Sequence, residues 1–283
     1  MNVMQVHFCG VRGSLPAAGG DFVRYGGHTS CLALAPDGAK APTLFLDAGT
    51  GLLQALGLLN GSPFDGALLL THLHWDHVVG LPFFAASESE ELRVDVLLPE
   101  QESGADAASA LGGLMSPPYF PVGPRQLYGH WSFSTLAQGE REVEGFSVLA
   151  REIPHKGGRT YGYRVSLGGA TIAYLPDHNP TALGPGEDGL GEYHPAALEL
   201  AREADLLVHD AQLLPEELPA EAHFGHAAAD YAVALAERAE ARAVALFHHR
   251  LDRTDDELDA LAARLAGRSA AVSVAAEDVV LHL

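Results

Sequence analysis

The chain turns abruptly polar after a short apolar run. Ala67-Leu68-Leu69-Leu70 leads straight into Thr71-His72-Leu73-His74-Trp75-Asp76-His77, which sets three imidazoles and one carboxylate within six residues. Imidazole nitrogens and a carboxylate are the donors that zinc and other borderline divalent cations take, and packing does not explain such density. In an extended segment His72 and His74, two apart, point the same way, while Asp76 and His77 turn toward a second position. The pattern His-x-His-x-Asp-His points to metal-assisted chemistry. Solvated loop histidines beside a buried Trp75 are the structural alternative, which suits an isolated His-x-His better than this cluster.

A loop after a buried strand can aim alternate side chains into one pocket, so the elements around the cluster matter. Short apolar runs bounded by turn residues read as strands over 3–8, 31–35, 43–46, 67–70 and 94–98, then over 146–151, 161–166, 171–175, 206–208, 243–247 and 271–274. Thr254 and Glu257 have capping-box spacing, and Leu258, Leu261 and Leu265 follow on one face, which predicts a surface helix over 255–266. Residues 193–203 and 227–239 read the same way. Two strand-rich halves with interspersed helices, and no Pro- or Ser-rich linker, suggest one layered domain over 1–283 with helices outside. The Gly- and Pro-rich stretches 112–124 and 184–191 read as loops, the first a candidate wall of a substrate pocket.

Seventeen Lys and Arg against 37 Asp and Glu leave a formal charge of −20, which repels a polyphosphate backbone. Long nucleic acids are therefore poor candidates, whereas a local basic patch or bound cations can still draw in a small anion. The apolar fraction of 47% suits a globular protein, and no window approaches the roughly 18 uninterrupted apolar residues of a membrane span. The first residues lack a basic, long-apolar export signal, so the expected location is the cytoplasm. Cys9 and Cys31 form no closely spaced pair and read as buried free thiols.

Residues Thr71 to His77 resemble the defining motif of the metallo-β-lactamase superfamily. Within it the chain is similar to the phosphodiesterase-like group related to ribonuclease Z and phosphoribosyl cyclic phosphodiesterase. Further segments carry that likeness: Gly10-Val11-Arg12-Gly13-Ser14, Tyr25-Gly26-Gly27-His28-Thr29-Ser30-Cys31, Phe45-Leu46-Asp47-Ala48-Gly49-Thr50-Gly51 and Pro117-Pro118-Tyr119-Phe120-Pro121-Val122. The resemblance implies an αββα sandwich of two mixed sheets flanked by helices, with two divalent metals at one edge. It implies His155 as the next ligand, Asp177 as a carboxylate touching both ions, and His248 as the last. Strand register alone does not separate His248 from His249. One site is then His72, His74, His155 and Asp177; the other is Asp76, His77, His248 and Asp177, with Asp76 also serving catalysis.

Two such ions share a water whose pKa falls toward roughly 7, giving a hydroxide nucleophile for phosphodiester hydrolysis. No Gly-x-Ser-x-Gly elbow is present to offer an alternative nucleophile. Phe224-Gly225-His226 resembles the Gly-His element of ribonuclease Z relatives, which makes His226 a proton donor to the leaving group, or else a helix-start cap. Asp47, His209 and Asp210 follow strands and are expected to fix the tautomers of metal-bound imidazoles. Arg12, Ser14, Arg24, His28 and Ser30 lie in loops that the resembled group places beside its active site, with His28 where relatives carry Asn. His178 and His249 neighbour implied ligands and are candidates for substrate contact. The expected cofactors are two ions, zinc by donor set, with manganese or iron accommodated. The expected partner is a small, cyclic phosphodiester, with a homodimer compatible. The rival readings are hydrolysis of a thioester, lactone or β-lactam, and a non-catalytic metal-binding or sensory protein.

Overall fold

The computed structural model describes residues 3–84 and 90–283. In it β1 (Met4–Gly10), β2 (Cys31–Pro36), β3 (Leu44–Leu46), β4 (Asp65–Leu69), β5 (Arg93–Pro99) and β6 (His130–Leu136) build the first sheet. The second holds β7 (Gly139–Val143), β8 (Phe146–Ile153), β9 (Thr160–Leu167), β10 (Ala170–Leu175), β11 (Leu206–Asp210), β12 (Ala243–Phe247) and β13 (Ala271–Val274). A last strand, β14 (Val280–His282), joins the first sheet beside β1, giving seven strands in each. Each sheet is antiparallel on one side and parallel on the other, with β3 to β6 parallel in the first and β10 to β13 in the second.

Period-two alternation explains the layering. Leu44, Leu46, Ala67 and Leu69 face a core between the sheets, whereas Phe45, Leu68 and Leu70 face outward under helices. In the second sheet Ile172, Tyr174, Val208 and Phe247 face the shared core, and Ala173, Leu175, Leu207 and Leu246 face outward. Central strands buried on both faces must be covered twice. The outer face of the first sheet lies under α1 (Gly51–Gln54), α2 (Trp75–Val78) and α3 (Ala107–Gly112). That of the second lies under α4 (Pro195–Ala201) and, past the short α5 (Leu218–Glu221), under α6 (Ala229–Arg238) and α7 (Asp255–Leu265). The result is a four-layer αββα sandwich, the expected α/β class.

Parallel strands share a direction, so the ends of β4, β10, β11 and β12 deliver their following residues to one edge. The sheets are also stitched there: the Tyr163 hydroxyl donates to Leu70 O at 2.6 Å, and Tyr161 N donates to Thr71 O at 2.9 Å. Among the described residues no helix is long and apolar enough to cross a membrane.

Three strands were not expected from the sequence. Strands β6 and β7 are half-exposed or charged, and β14 spans three residues, so none presents an apolar run. Two helices are shorter than expected: Pro195 sits at the first turn of α4, and α6 begins only after an extended Ala228. For α7 the capping box forms as expected, with Thr254 accepting from Glu257 N and the Glu257 side chain reaching back. Replacing Thr254 by Ala should lower unfolding free energy by about 1 kcal/mol, whereas Thr254→Ser should leave it nearly unchanged. Urea denaturation of both variants checks this.

Candidate metal centre

The chain leaves β4 extended, and His74 becomes the N-cap of α2 with β-region backbone angles. That single helical turn is what re-aims Asp76 and His77, both buried, away from the His72 and His74 side. The turn between β8 and β9 contributes His155, the end of β10 contributes Asp177, and the end of β12 contributes His248.

These side chains converge. The candidate ligand atoms of His72, His74, His155 and Asp177 all lie within 4.8 Å of one another, as do those of Asp76, His77 and His248. Asp177 joins the groups: its Oδ1 stands 3.4 Å from His155 Nε2, and its Oδ2 stands 2.8 Å from His77 Nε2 and 3.2 Å from His248 Nε2. His155 Nε2 and His74 Nδ1 face each other at 3.3 Å, and so do His77 Nε2 and His248 Nε2. Ligands about 2.0–2.1 Å from a tetrahedral cation stand about 3.3 Å apart, so these spacings are the edges of such a polyhedron. His72 Nε2 and Asp177 Oδ2 are buried with no hydrogen-bond partner, and at this spacing from the other imidazoles a cation would satisfy both. The residues fit the metals that the motif implies.

Burial, with repulsion from neighbouring imidazoles, pulls His72 and His74 down and His155 down to about 4, which keeps those three neutral with a free lone pair. His77 runs the other way: burial lowers it, but the charges of Asp76, Asp177 and Asp47 outweigh that and hold the imidazole well above its usual value. Burial opposes ionisation of Asp76 and Asp177, yet the surrounding histidines outweigh it and hold both well below the usual carboxylate range.

A second layer orients the imidazoles. Asp47 accepts from His77 Nδ1 at 2.8 Å, Thr71 N at 2.7 Å and the Tyr174 hydroxyl at 3.0 Å. Gly225 O accepts from His155 Nδ1 at 2.8 Å, and Thr71 Oγ1 lies 3.1 Å from His72 Nδ1. Ser14 N donates to Asp76 Oδ2 at 2.7 Å. Asp210 accepts from His226 Nδ1 at 2.9 Å and from the amides of His178, Gln212 and Ala227. Burial pulls His226 down, but the charge of Asp210 outweighs it and lifts the imidazole to about 9. His226 also belongs to a third close group with Asp177 and His248.

Several expected substrate contacts are corrected by burial. Arg12 is fully buried, its guanidinium donating to Gly26 O and Arg253 O beside Asp255, so it pins the chain between β12 and α7. Ser30 is buried and donates to Arg12 O. His249 donates Nε2–H to Ala275 O and sits edge-on to Tyr25; His178 and His209 pack against each other and Tyr231. Arg12, Ser30, His178 and His249 are thus closed to substrate, and His209, expected to fix the tautomer of a metal-bound imidazole, bonds instead to His178 Nδ1 and Asp210 O. His28 is half-buried, held by Thr50 and Gln54, and Arg24 pairs with Asp256 and Asp259. Trp75 is 71% exposed instead of buried, and with Phe83, Tyr119 and Phe120 it lines an open apolar pocket of about 620 Å³. Gly113, Leu114, Met115, Tyr119 and Phe120 of the 112–124 stretch form part of its wall. Sequence reading missed Gln212, whose Nε2 lies 3.2 Å from His248 Nδ1; a lone Gln two residues past Asp210 carries no spacing signal.

The family described as beta-lactamase superfamily domain matches residues 43–249. Ribonuclease Z of Lacticaseibacillus casei (strain BL23) is 27% identical over 216 residues, covering 64% of this chain; the match spans 66% of that protein's length, just short of two thirds. The metallo-β-lactamase fold protein YhfI from Bacillus subtilis superposes with a TM-score of 0.73 at 18% identity, over 100% of both chains. A diphosphatase from the PhnP family superposes with a TM-score of 0.71 at 18% identity, over 99% of this chain and 98% of that one. With the family matched across most of its length, the chain belongs to the metallo-β-lactamase superfamily of hydrolases.

Proposed function

We propose that this hydrolase is a binuclear phosphodiesterase acting on a small phosphodiester of the cyclic-nucleotide kind. The observation that carries the reading is Asp177, whose two oxygens face two separate sets of histidines. His72, His74, His155 and Asp177 would hold one cation, and Asp76, His77, His248 and Asp177 the other, zinc by the donor set. When bound, such a pair supplies Lewis acidity to a phosphoryl oxygen and acidifies water toward neutral pH.

The chain's own residues supply the rest. Asp210 accepts a hydrogen bond from His226 Nδ1–H, which orients the ring and stabilises its imidazolium form, whose Nε2–H can pass a proton to the leaving oxygen and leave the ring neutral. Ser14 N holds the Asp76 carboxylate in place through Oδ2. The phosphodiester class is supported by the relative named ribonuclease Z. A small substrate is favoured by the charge of −20, and by Arg93, Arg151, Arg250, Arg264 and Arg268 each being engaged by a carboxylate. That balance of charge disfavours a long polyanion.

Purified protein should carry two metal equivalents and hydrolyse bis-p-nitrophenyl phosphate or a cyclic nucleotide, with activity lost to chelator and restored by zinc or manganese. Turnover confined to lactones or acyl-glutathione would overturn the phosphodiester reading. Since Asp210 raises the pKa of His226, the donating form is present below that value and lost above it. The kcat profile should therefore fall on a basic limb no higher than about pH 9. His226→Ala should abolish that limb and lower kcat by roughly 10²–10⁴-fold while keeping its metal. Asp47→Asn should retain the fold, because Asn tolerates the left-handed backbone at φ 61°. An amide facing four donors cannot replace the carboxylate, so cation affinity measured by chelator competition should weaken about 10–100-fold.

A further inference from the structure

Among the candidate ligands, His248 has an unusual partner. His77 offers its Nδ1 proton to the Asp47 carboxylate and His155 to the Gly225 carbonyl, both fixed acceptors. His248 Nδ1 instead meets the Gln212 side-chain amide, with Nε2 at 3.2 Å, and the same amide nitrogen lies 3.3 Å from Ser14 Oγ. Gln212 is buried, and its backbone N–H donates to Asp210 Oδ1 at 3.0 Å, so its chain position is fixed. Gly13 closes the arrangement from the other side. A Cβ there would stand 2.3 Å from the His248 ring and 2.7 Å from the Gln212 amide, so only glycine lets this backbone press on both.

The other edge of the ring faces the metal centre, with His248 Nε2 at 3.1 Å from Asp76 Oδ2 and 3.2 Å from Asp177 Oδ2. The amide atom that faces Nδ1 sets the tautomer: with nitrogen there, Nδ1 accepts and the ring proton belongs on Nε2, where a carboxylate can receive it. A cation ligand requires the reverse: Nε2 bare, the proton on Nδ1, and an acceptor beyond it. A half-turn of the carboxamide exchanges its oxygen and nitrogen without changing its shape. Oε1 then accepts from His248 Nδ1, and the Ser14 hydroxyl can donate to the same oxygen.

We infer that Gln212 is a positioning residue for His248, turning its carboxamide between donor and acceptor so that the imidazole is satisfied in either tautomer and binds the second cation through Nε2. The inference rests on the binuclear reading above. A carboxylate at 212 would serve only the ligand tautomer, and a thioether neither.

Zinc titration of the full chain against a competing chromophoric chelator, with 15N-edited spectra of the imidazoles, tests it. In the wild type His248 should carry its proton on Nε2 in chelated protein and on Nδ1 after zinc. Gln212→Met should weaken the second equivalent about 10–100-fold and leave the first unchanged, while Gln212→Glu should bind the second at least as tightly as the wild type. A single tautomer in both states, wild-type affinity in Gln212→Met, or failure of Gln212→Glu to bind would each overturn the inference. A wild type that takes fewer than two equivalents would instead fail the binuclear reading. The wild-type spectra and the Glu variant decide the matter even where the Met variant does not fold.

Discussion

Four carboxylates, Asp47, Asp76, Asp177 and Asp210, are buried at one edge of the sandwich, and the arrangement there follows from the need to compensate them. An isolated buried carboxylate is so costly that it must be paired, bonded or neutralised. Asp47 is met by an amide, two hydroxyls and one imidazole, and Asp210 by three amides and one imidazole, which makes them anchors. Asp177 has no hydrogen-bond donor on Oδ2 and is met only by imidazole edges. Replacing any one histidine of that shell would therefore alter a charge balance shared by all of them.

Strand geometry decides that these groups meet. A one-residue slip of β4 would exchange Leu69 with Leu68 or Leu70 and turn the His72 and His74 pair away from the sheet interface. The register is protected by burial on both faces and by two tyrosines of β9 that bond to the backbone at Leu70 and Thr71. The same apolar alternation that stabilises the core thus fixes the aim of the first imidazoles to within a fraction of a strand repeat.

Much of this was legible because it depends on local patterns. The His cluster, the inward-outward alternation and the Thr254 capping box each occupy a few consecutive residues with a recognisable chemical type. What was illegible is non-local or weakly patterned. Strands β6 and β7 take their pairing from neighbours, not from their own half-exposed or charged side chains. Arg12 in a glycine-rich loop looks like an anion-binding group, yet it bonds carbonyls more than 200 residues further along the chain. Gln212 becomes meaningful only once the ends of β11 and β12 are side by side.

The backbone itself records where aim was preferred over comfort. Ser14, Asp47 and His248 all adopt left-handed angles, with φ of 67°, 61° and 59°. For residues with a Cβ such angles cost of order 1 kcal/mol or more each, and they persist only where the surroundings over-determine them. Here the surroundings are visible: Ser14 N is held by Asp76, Asp47 N by Leu69 O, and the residues flanking His248 by bonds linking Val11, Gly13 and His249. Each left-handed residue sits where the chain leaves or passes a strand end and must present a polar group sideways into the centre. Three of the eight left-handed non-glycine residues among those described thus converge on one set of side chains, where each turn presents a polar group toward the same centre.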